Sequence, residues 1–244
     1  MNSKKRIEVI DALRGLSVIL MVAHHLLYNL VAFMNAPRWF FSNPLFDLLH
    51  YVFAGTFIFL SGVSSRFSRS NIKRGAIACG IAACISAVTY YIDMPIWFGV
   101  LHLLGFSMLF FGLTRKAWDL IPRMAAPFIY IAAIVTGALA RQHVALTAGN
   151  EWLRGALWVL GWKQAGFYSY DYFPLLPWLF VFLLGTWAGV YILERRLPDW
   201  FYEVKPPVLP AVGRKALIIY VAHQPVLYGL VMGLLHFFPA LRFK

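Results

Sequence analysis

The sequence predicts an all-α protein, a polytopic bundle of about seven transmembrane helices that forms one domain over residues 1–244. Of its residues, 61% are apolar and only 13% are charged, whereas soluble domains average about 25% charged residues. Long apolar runs separated by short basic connections recur along the whole chain. This pattern excludes a disordered chain and an ordinary water-soluble domain.

Seven segments are apolar over roughly the 20 residues that a membrane crossing needs. They cover residues 13–34, 46–65, 76–92, 97–114, 124–140, 173–193 and 216–237. The first segment follows a basic start but has no small-residue cleavage site, so it predicts a retained span and not a removed signal peptide. Residues 142–172 are too polar to cross and predict an amphipathic segment in the interface, with Trp152, Trp158 and Trp162 at headgroup level.

The net charge of +12 predicts contact with lipid headgroups, not with nucleic acid, because the basic residues punctuate apolar runs. A cytoplasmic N-terminus puts most of these cations in the cytoplasm, as the positive-inside rule requires. The cytoplasmic clusters would be those at residues 4–6, 66–74, 115–123 and 195–215. The C-terminus would then lie on the opposite side.

The two cysteines indicate neither a disulfide nor a metal site. Cys79 and Cys84 are five residues apart in one apolar run, which on a helix separates them by about 140° around the axis. No paired spacing typical of a metal site is present either. We therefore expect no metal.

The first span carries polar residues on one face. Asp11 and Arg14 are three residues apart and therefore neighbours. His25 follows Arg14 by eleven residues, which returns to within roughly 20° of the same direction, about 16 Å further along the axis. The complete stripe is Asp11, Arg14, Val18, Met21, His25 and Asn29. The stripe predicts a catalytic face with a cationic foot, formed by Asp11 and Arg14, at its cytoplasmic end. The helix turns about 100° between His24 and His25, so we expect only one of them to face the interior, and the stripe selects His25. The alternative is an ion pair at headgroup level together with a structural histidine.

Two more histidines are expected in the outer-leaflet layer that contains His25. His50 and His102 each lie about five residues into a span entered from outside, roughly 8 Å deep. Each histidine alone also fits a hydrogen-bonded structural role, but their shared depth predicts a cluster. Polar side chains inside spans usually face the bundle interior or a water-filled cavity.

The last span repeats this polar pattern. Tyr220, Gln224 and Tyr228 are spaced by four residues, His223 neighbours that face, and Pro225 predicts a kink. His223 and Gln224 are thus candidates to contact a cofactor, and interhelical hydrogen bonding is the equal alternative.

Two further candidates lie outside the spans. Asp171 precedes the sixth span and could cap its helix, or orient an acceptor or a histidine. The cations Arg66, Arg69, Lys73 and Arg74 could hold the phosphates of a cytoplasmic cofactor, although positive-inside topology also explains them.

Five motifs resemble a family of small bacterial membrane proteins named for the catalytic domain of heparan-alpha-glucosaminide N-acetyltransferase. They are IDALRG, FIFLSG, GVLHLLG, DYFPLLPW and GRKALIIYVAHQP, and the resemblance covers about residues 6–236. The first span is also similar to that of the acyltransferase-three group, where an Arg and a downstream His in the first helix are needed for transfer. Arg14 and His25 match that spacing.

The resemblance implies a multi-pass enzyme of the bacterial inner membrane that moves an acyl group, acetyl in the first instance, from cytoplasmic acyl-CoA to a sugar amine or hydroxyl on the other side. His25 would be the base or a transient acyl carrier. His102 or Asp171 would orient it or the acceptor. Asp11, Arg14 and the 66–74 cations would hold CoA. The acceptor could be lipid-linked, and a homo-oligomer is left open.

Two departures separate the chain from the lysosomal enzyme of that name. The catalytic histidine of the lysosomal enzyme is thought to follow the first span, but residues 35–45 contain no histidine here. The chain is also shorter, with fewer spans. Heparan itself is not expected as the acceptor of a bacterial protein, so the name of that substrate is not carried over.

Two other functions use the same residues. A haem-binding electron carrier would take His25, His50, His102 or His223 as axial ligands, because bis-histidine ligation draws on different helices. A transporter or flippase of a lipid-linked sugar would use the same cavity without chemistry. The haem carrier gives no role to Asp11 and Arg14, and a Soret band would identify it.

Overall fold

A computed structural model of the chain describes residues 6–40, 43–143, 156–164 and 166–238. These residues form α-helices, short 3-10 turns and connecting loops, and no strand occurs among them. The all-α prediction is therefore confirmed. Lys4, Lys5 and Trp152, which entered the predictions of orientation and of an interfacial segment, lie outside the described residues.

The helices coincide closely with the predicted apolar segments. In chain order they are α1 (Glu8–Met34), α2 (Pro44–Phe67), α3 (Asn71–Tyr91), α4 (Val100–Asp119), α5 (Ala126–His143), α6 (Leu175–Leu193), α7 (Asp199–Glu203), α8 (Leu209–Arg214) and α9 (Ala216–Phe237).

Five of the described helices, α1, α2, α3, α6 and α9, are long and apolar enough to cross a membrane. The other two predicted spans are also helical. The apolar part of α5, Ala126–Arg141, is shorter than the rest, and α4 begins at Val100, three residues after the predicted start of its span. The chain is thus a multi-pass membrane protein, while the count of seven spans and the cytoplasmic N-terminus stay predictions.

The chain divides into two compact units, and the division falls within α2. Unit 1 consists of Met1–Phe57 and Leu197–Lys244, and unit 2 of Ile58–Arg196. The prediction of a single domain stays a prediction.

In unit 1, α1 packs against α8 and α9. The contact with α8 is close because two glycines face each other's backbone. A Cβ atom at Gly15 would overlap the backbone oxygen of Leu209, and one at Gly213 would overlap that of Asp11. Small residues allow this approach in membrane bundles, where dispersion and weak hydrogen bonds, not exclusion of water, hold helices together. The glycines of the IDALRG and GRKALIIYVAHQP motifs therefore fix α1 on α8.

In unit 2, α3 packs on α4 and α5 packs on α6. Glycine makes a second close crossing there, between α2 and α6. A Cβ atom at Gly62 would overlap the backbone oxygen of Phe182, and one at Gly185 would overlap that of Phe59. The FIFLSG motif thus supplies a helix contact in the described structure.

Candidate active site

The cationic foot predicted in the first span is present in unit 1. Arg14 Nη1 donates to Asp11 Oδ1 at 2.8 Å, and the two side chains are only 17% and 14% exposed. Gly15 follows directly and packs on α8. The pair therefore lies where α1 is held against α8, and the Asp11 carboxylate balances the charge of the guanidinium.

His25 contacts the last helix of unit 1. Its Nδ1 lies 2.9 Å from the carbonyl oxygen of Met21, one turn earlier in α1. Its ring meets the ring of His223 on α9 edge to face, with centroids 4.8 Å apart. Because a carbonyl oxygen only accepts, Nδ1 carries the proton of the neutral ring and Nε2 carries the lone pair.

His223 has the same arrangement. Its Nδ1 donates to the carbonyl oxygen of Tyr220 at 2.6 Å, so Nε2 is again the basic nitrogen. This atom is buried and has no hydrogen-bond partner. His25 Nε2 also makes no hydrogen bond within the described residues. Two basic nitrogens on facing helices are thus available for proton transfer.

His24 also contacts another helix, which the sequence stripe did not predict. Its ring stacks on that of His50 from α2, with centroids 4.4 Å apart, and lies 5.8 Å from the ring of His25. The expectation that one of the adjacent histidines faces away from the bundle is therefore wrong. The sequence does show a histidine in each of the two helices, but the periodicity of one helix cannot show that the two side chains meet.

This arrangement does not favour haem binding. In bis-histidine ligation two imidazoles lie on opposite faces of the macrocycle. Here the rings of each pair, His24 with His50 and His25 with His223, contact each other directly. Separately from haem, no group of three or more His, Cys, Asp or Glu side chains that could hold a metal ion is found among the described residues.

An amide pair lies one turn beyond His25. Gln224 Nε2 on α9 donates to Asn29 Oδ1 on α1 at 3.1 Å, and Asn29 is fully buried. Interhelical hydrogen bonding, the alternative noted for Gln224, is therefore observed. The predicted role of His223 and Gln224 in contacting a cofactor stays a prediction.

The three histidines predicted at one depth fall into different units. His25 and His50 belong to unit 1, and His102 belongs to unit 2. His102 lies in the first turn of α4, because the helix begins only at Val100. His102 is thus the third residue of its helix, whereas the sequence predicted that it lies about five residues into the span.

His102 and Asp171 meet at the start of α4. The N–H of Gly99 donates to His102 Nδ1 at 3.1 Å, and His102 Nε2 lies 3.1 Å from Ser86 Oγ. Asp171 Oδ2 accepts from the N–H of Val100 at 3.1 Å. Asp171 therefore caps a helix, as one alternative held, but that helix is α4 and not the one that follows it. The orienting roles predicted for both residues stay predictions.

Arg66 differs from the other cations of its cluster. Its side chain is only 7% exposed, with Nη1 2.6 Å from Asp119 Oδ1 and Nε donating to the carbonyl oxygen of Thr186 at 2.8 Å. Its guanidinium also lies over the ring of Phe111. By contrast, Arg69, Lys73 and Arg74 are exposed. Arg66 thus joins helices of unit 2, and the exposed three are better placed to meet a soluble anion.

The loop before α6 holds an aromatic cluster in unit 2. The Tyr172 hydroxyl donates to the carbonyl oxygen of Trp158, and the Lys163 ammonium lies 4.6 Å from the centre of the Tyr172 ring. Burial raises the pKa of Tyr172, and burial together with the charge of Arg141 lowers the pKa of Lys163. Trp158 of the predicted interfacial segment packs within this cluster, against Phe167.

Comparison with known proteins identifies the family. No curated protein and no solved structure matches the chain. A family model described as heparan-alpha-glucosaminide N-acetyltransferase, catalytic, matches residues 6–225. This range contains the foot on α1, the histidines of α1 and α9, and the amide pair. Because the match covers nearly all of the sequence, the chain belongs to the family of the heparan-alpha-glucosaminide N-acetyltransferase catalytic domain.

Proposed function

We propose that the protein transfers an acyl group, acetyl in the first instance, from cytoplasmic acyl-CoA to an amine or hydroxyl of a sugar on the other side of the membrane. The family supports an acetyltransferase activity. The observation that carries the rest is the stripe of α1, which joins the foot at Arg14 to an imidazole whose Nε2 is free to accept a proton.

The proposed reaction needs one base and no external co-reactant. His25 Nε2 takes the proton from the acceptor amine or hydroxyl, whose nitrogen or oxygen attacks the thioester carbonyl carbon. A C–N or C–O bond forms, the C–S bond breaks, and the proton passes from the imidazolium to the leaving thiolate. Free CoA and the acylated sugar are the products, and His25 returns to its neutral form.

The donor is proposed to lie along α1. Arg14 binds an anionic part of CoA, and the pantetheine arm follows the helix over about 16 Å to His25. Arg69, Lys73 and Arg74 in unit 2 would raise the local concentration of the polyanionic donor through long-range attraction. The transient acyl-histidine is a variant of this scheme in which His25 itself attacks the carbonyl.

The proposal is tested with purified full-length protein, acetyl-CoA and glucosamine, by measuring acetylated product and free thiol. We expect His25→Ala to lower the turnover about 100- to 10,000-fold, the range for loss of a general base. His24→Ala is the matched control, because it removes the adjacent imidazole, and it should stay within about threefold of wild type. Full activity of folded His25→Ala would remove this residue from the mechanism.

The foot is tested with the double variant Asp11→Asn and Arg14→Gln, which removes both charges together and leaves no unpaired carboxylate. We expect its KM for acetyl-CoA to rise about tenfold or more. Acetyl-pantetheine, which has no nucleotide phosphates, should be used equally well by variant and wild type. An equal loss with both donors would show that the pair only supports the fold.

A further inference from the structure

Three polar atoms beside His25 are buried without a hydrogen-bond partner. They are Asn29 Nδ2, Gln224 Oε1 and His223 Nε2, all in unit 1. Leaving a buried donor or acceptor unpaired costs about 1–3 kcal/mol, and folded proteins contain few such groups. Three of them on two facing helices indicate a place that a polar ligand completes.

The chemistry of that ligand follows from the amide pair. Gln224 uses its NH2 group on the carbonyl oxygen of Asn29, which leaves one NH2 group and one carbonyl oxygen. If both amide groups are rotated by 180°, Asn29 donates to Gln224, and one NH2 group and one carbonyl oxygen again remain, now on the opposite residues. The result therefore does not depend on amide orientation. The pair therefore offers one donor and one acceptor, and His223 Nε2 offers a second acceptor. A hydroxyl group, which donates and accepts at once, complements this set.

The position of the pair places it on the acceptor side of the reaction. Asn29 lies four residues beyond His25, about 6 Å along α1 and away from Arg14. In the proposed function the donor arm occupies the stretch between Arg14 and His25. The region around Asn29 is therefore left for the group that receives the acyl chain.

We infer that Asn29, Gln224 and His223 recognise a hydroxyl group of the sugar, adjacent to the atom that is acylated. The inference rests on the proposed function and deepens it, because it assigns the residues that distinguish a sugar from a simple amine. A site built to hydrogen-bond a hydroxyl discriminates strongly against an analogue that lacks it, since its own polar groups then stay unpaired.

Binding measurements test this without acyl transfer. The probes are glucosamine and 3-aminotetrahydropyran, which has the same ring and amine but no hydroxyl groups, titrated into the full-length protein without acyl-CoA. We expect the wild type to bind glucosamine at least tenfold more tightly. The variant Asn29→Leu with Gln224→Leu should lose this preference by binding glucosamine more weakly, with affinity for 3-aminotetrahydropyran within about threefold of wild type.

The control exchanges the two amides, as Asn29→Gln with Gln224→Asn, and keeps both amide groups and the total volume. It should retain more of the preference than the leucine variant. All three proteins must unfold at similar temperatures, which is expected because replacing both partners of a buried hydrogen bond by apolar groups is nearly neutral. Equal loss in the two variants would show that the pair only packs the helices and would overturn the inference.

The two proposals fail separately. Wild type that binds both probes equally, or a leucine variant that keeps the wild-type preference, overturns the inference even if acetyl-CoA is consumed. Wild type that prefers glucosamine but releases no CoA from acetyl-CoA overturns the proposed function and leaves the hydroxyl recognition in place.

Discussion

The imidazoles of His25 and His223 in unit 1 each donate Nδ1–H to a carbonyl of their own helix and make no hydrogen bond through Nε2 within the described residues. In unit 2, His102 engages both nitrogens, one with the N–H of Gly99 and one with Ser86 Oγ. The residue type is the same in all three cases, but both ring nitrogens of His102 are occupied, whereas, in the part of the chain that the structure describes, Nε2 of His25 and of His223 is not. A histidine in a membrane helix is a candidate base only when a ring nitrogen is left over after the fold has been satisfied.

The most direct test of this comparison is to replace His25 and His102 separately and to compare the effects on activity and stability. We expect His25→Ala to remove activity at nearly unchanged stability, and His102→Ala to lower the free energy of unfolding by about 0.5–2 kcal/mol, as for a lost helix cap. Activity per folded His102→Ala molecule should stay within about threefold of wild type. Thermal unfolding and turnover, measured on the same samples, separate the two effects.

A loss of more than 100-fold in turnover for His102→Ala at an unchanged unfolding temperature would contradict this expectation. It would instead support the role in orienting the base or the acceptor that the sequence predicted. Asp171→Asn is a useful companion, because it weakens the cap of α4 without removing the imidazole.

Arg66 extends the comparison to charged groups of unit 2. Its guanidinium is occupied by Asp119 and by the carbonyl oxygen of Thr186, so we expect Arg66→Gln to cost about 1–3 kcal/mol of stability through lost charge-assisted hydrogen bonds. Its KM for acetyl-CoA should change less than twofold. Lys73→Gln, at an exposed position of the same cluster, is the control, with unchanged stability and a raised KM. The reverse pattern would assign phosphate binding to Arg66.

Tyr172 gives the smallest expected effect. Tyr172→Phe loses the hydrogen bond to Trp158, worth about 1 kcal/mol. Because burial raises the pKa of this phenol above 10.0, the folded state holds its proton to higher pH than the unfolded state does. Its contribution is full below pH 10 and is lost as the pH rises through the raised pKa. Lys163 titrates in both proteins and cancels.

Unfolding of wild type and Tyr172→Phe from pH 7 to 11 measures this effect. The stability difference between them should be constant up to about pH 10 and shrink above it. A difference that grows with pH would show that the phenol is not buried as described.

The sequence predicted the positions of the helices well, but it predicted the contacts between side chains of different helices and loops poorly. Apolar length located the seven long helices of the described residues, because a run of about 20 apolar residues is long enough to form a membrane-crossing helix. The start of α4 was predicted three residues early, because the loop before it is held by hydrogen bonds to distant residues, such as that from Phe173 N–H to the Phe98 carbonyl. Such tertiary pairing leaves no periodic signal.

The candidate site shows the same limit. The stripe from Asp11 to His25 was predicted from helical geometry alone, and the ion pair at its base is observed. The stacking of His24 on His50 and the bond between Gln224 and Asn29 depend on which helices become neighbours. For this reason the stripe indicated His25 but did not indicate that His24 also contacts a ring on another helix.

The close contact of Gly15 with Leu209 and of Gly213 with Asp11 prevents α1 from sliding along α8. The foot and His25 belong to one continuous helix, so the interval between them is also constant. Together these constraints make α1 a molecular ruler of about 16 Å. If the donor binds as proposed, a thioester whose anionic end and reactive carbon are separated by a much shorter arm cannot reach both Arg14 and His25, and the enzyme should use such a donor poorly.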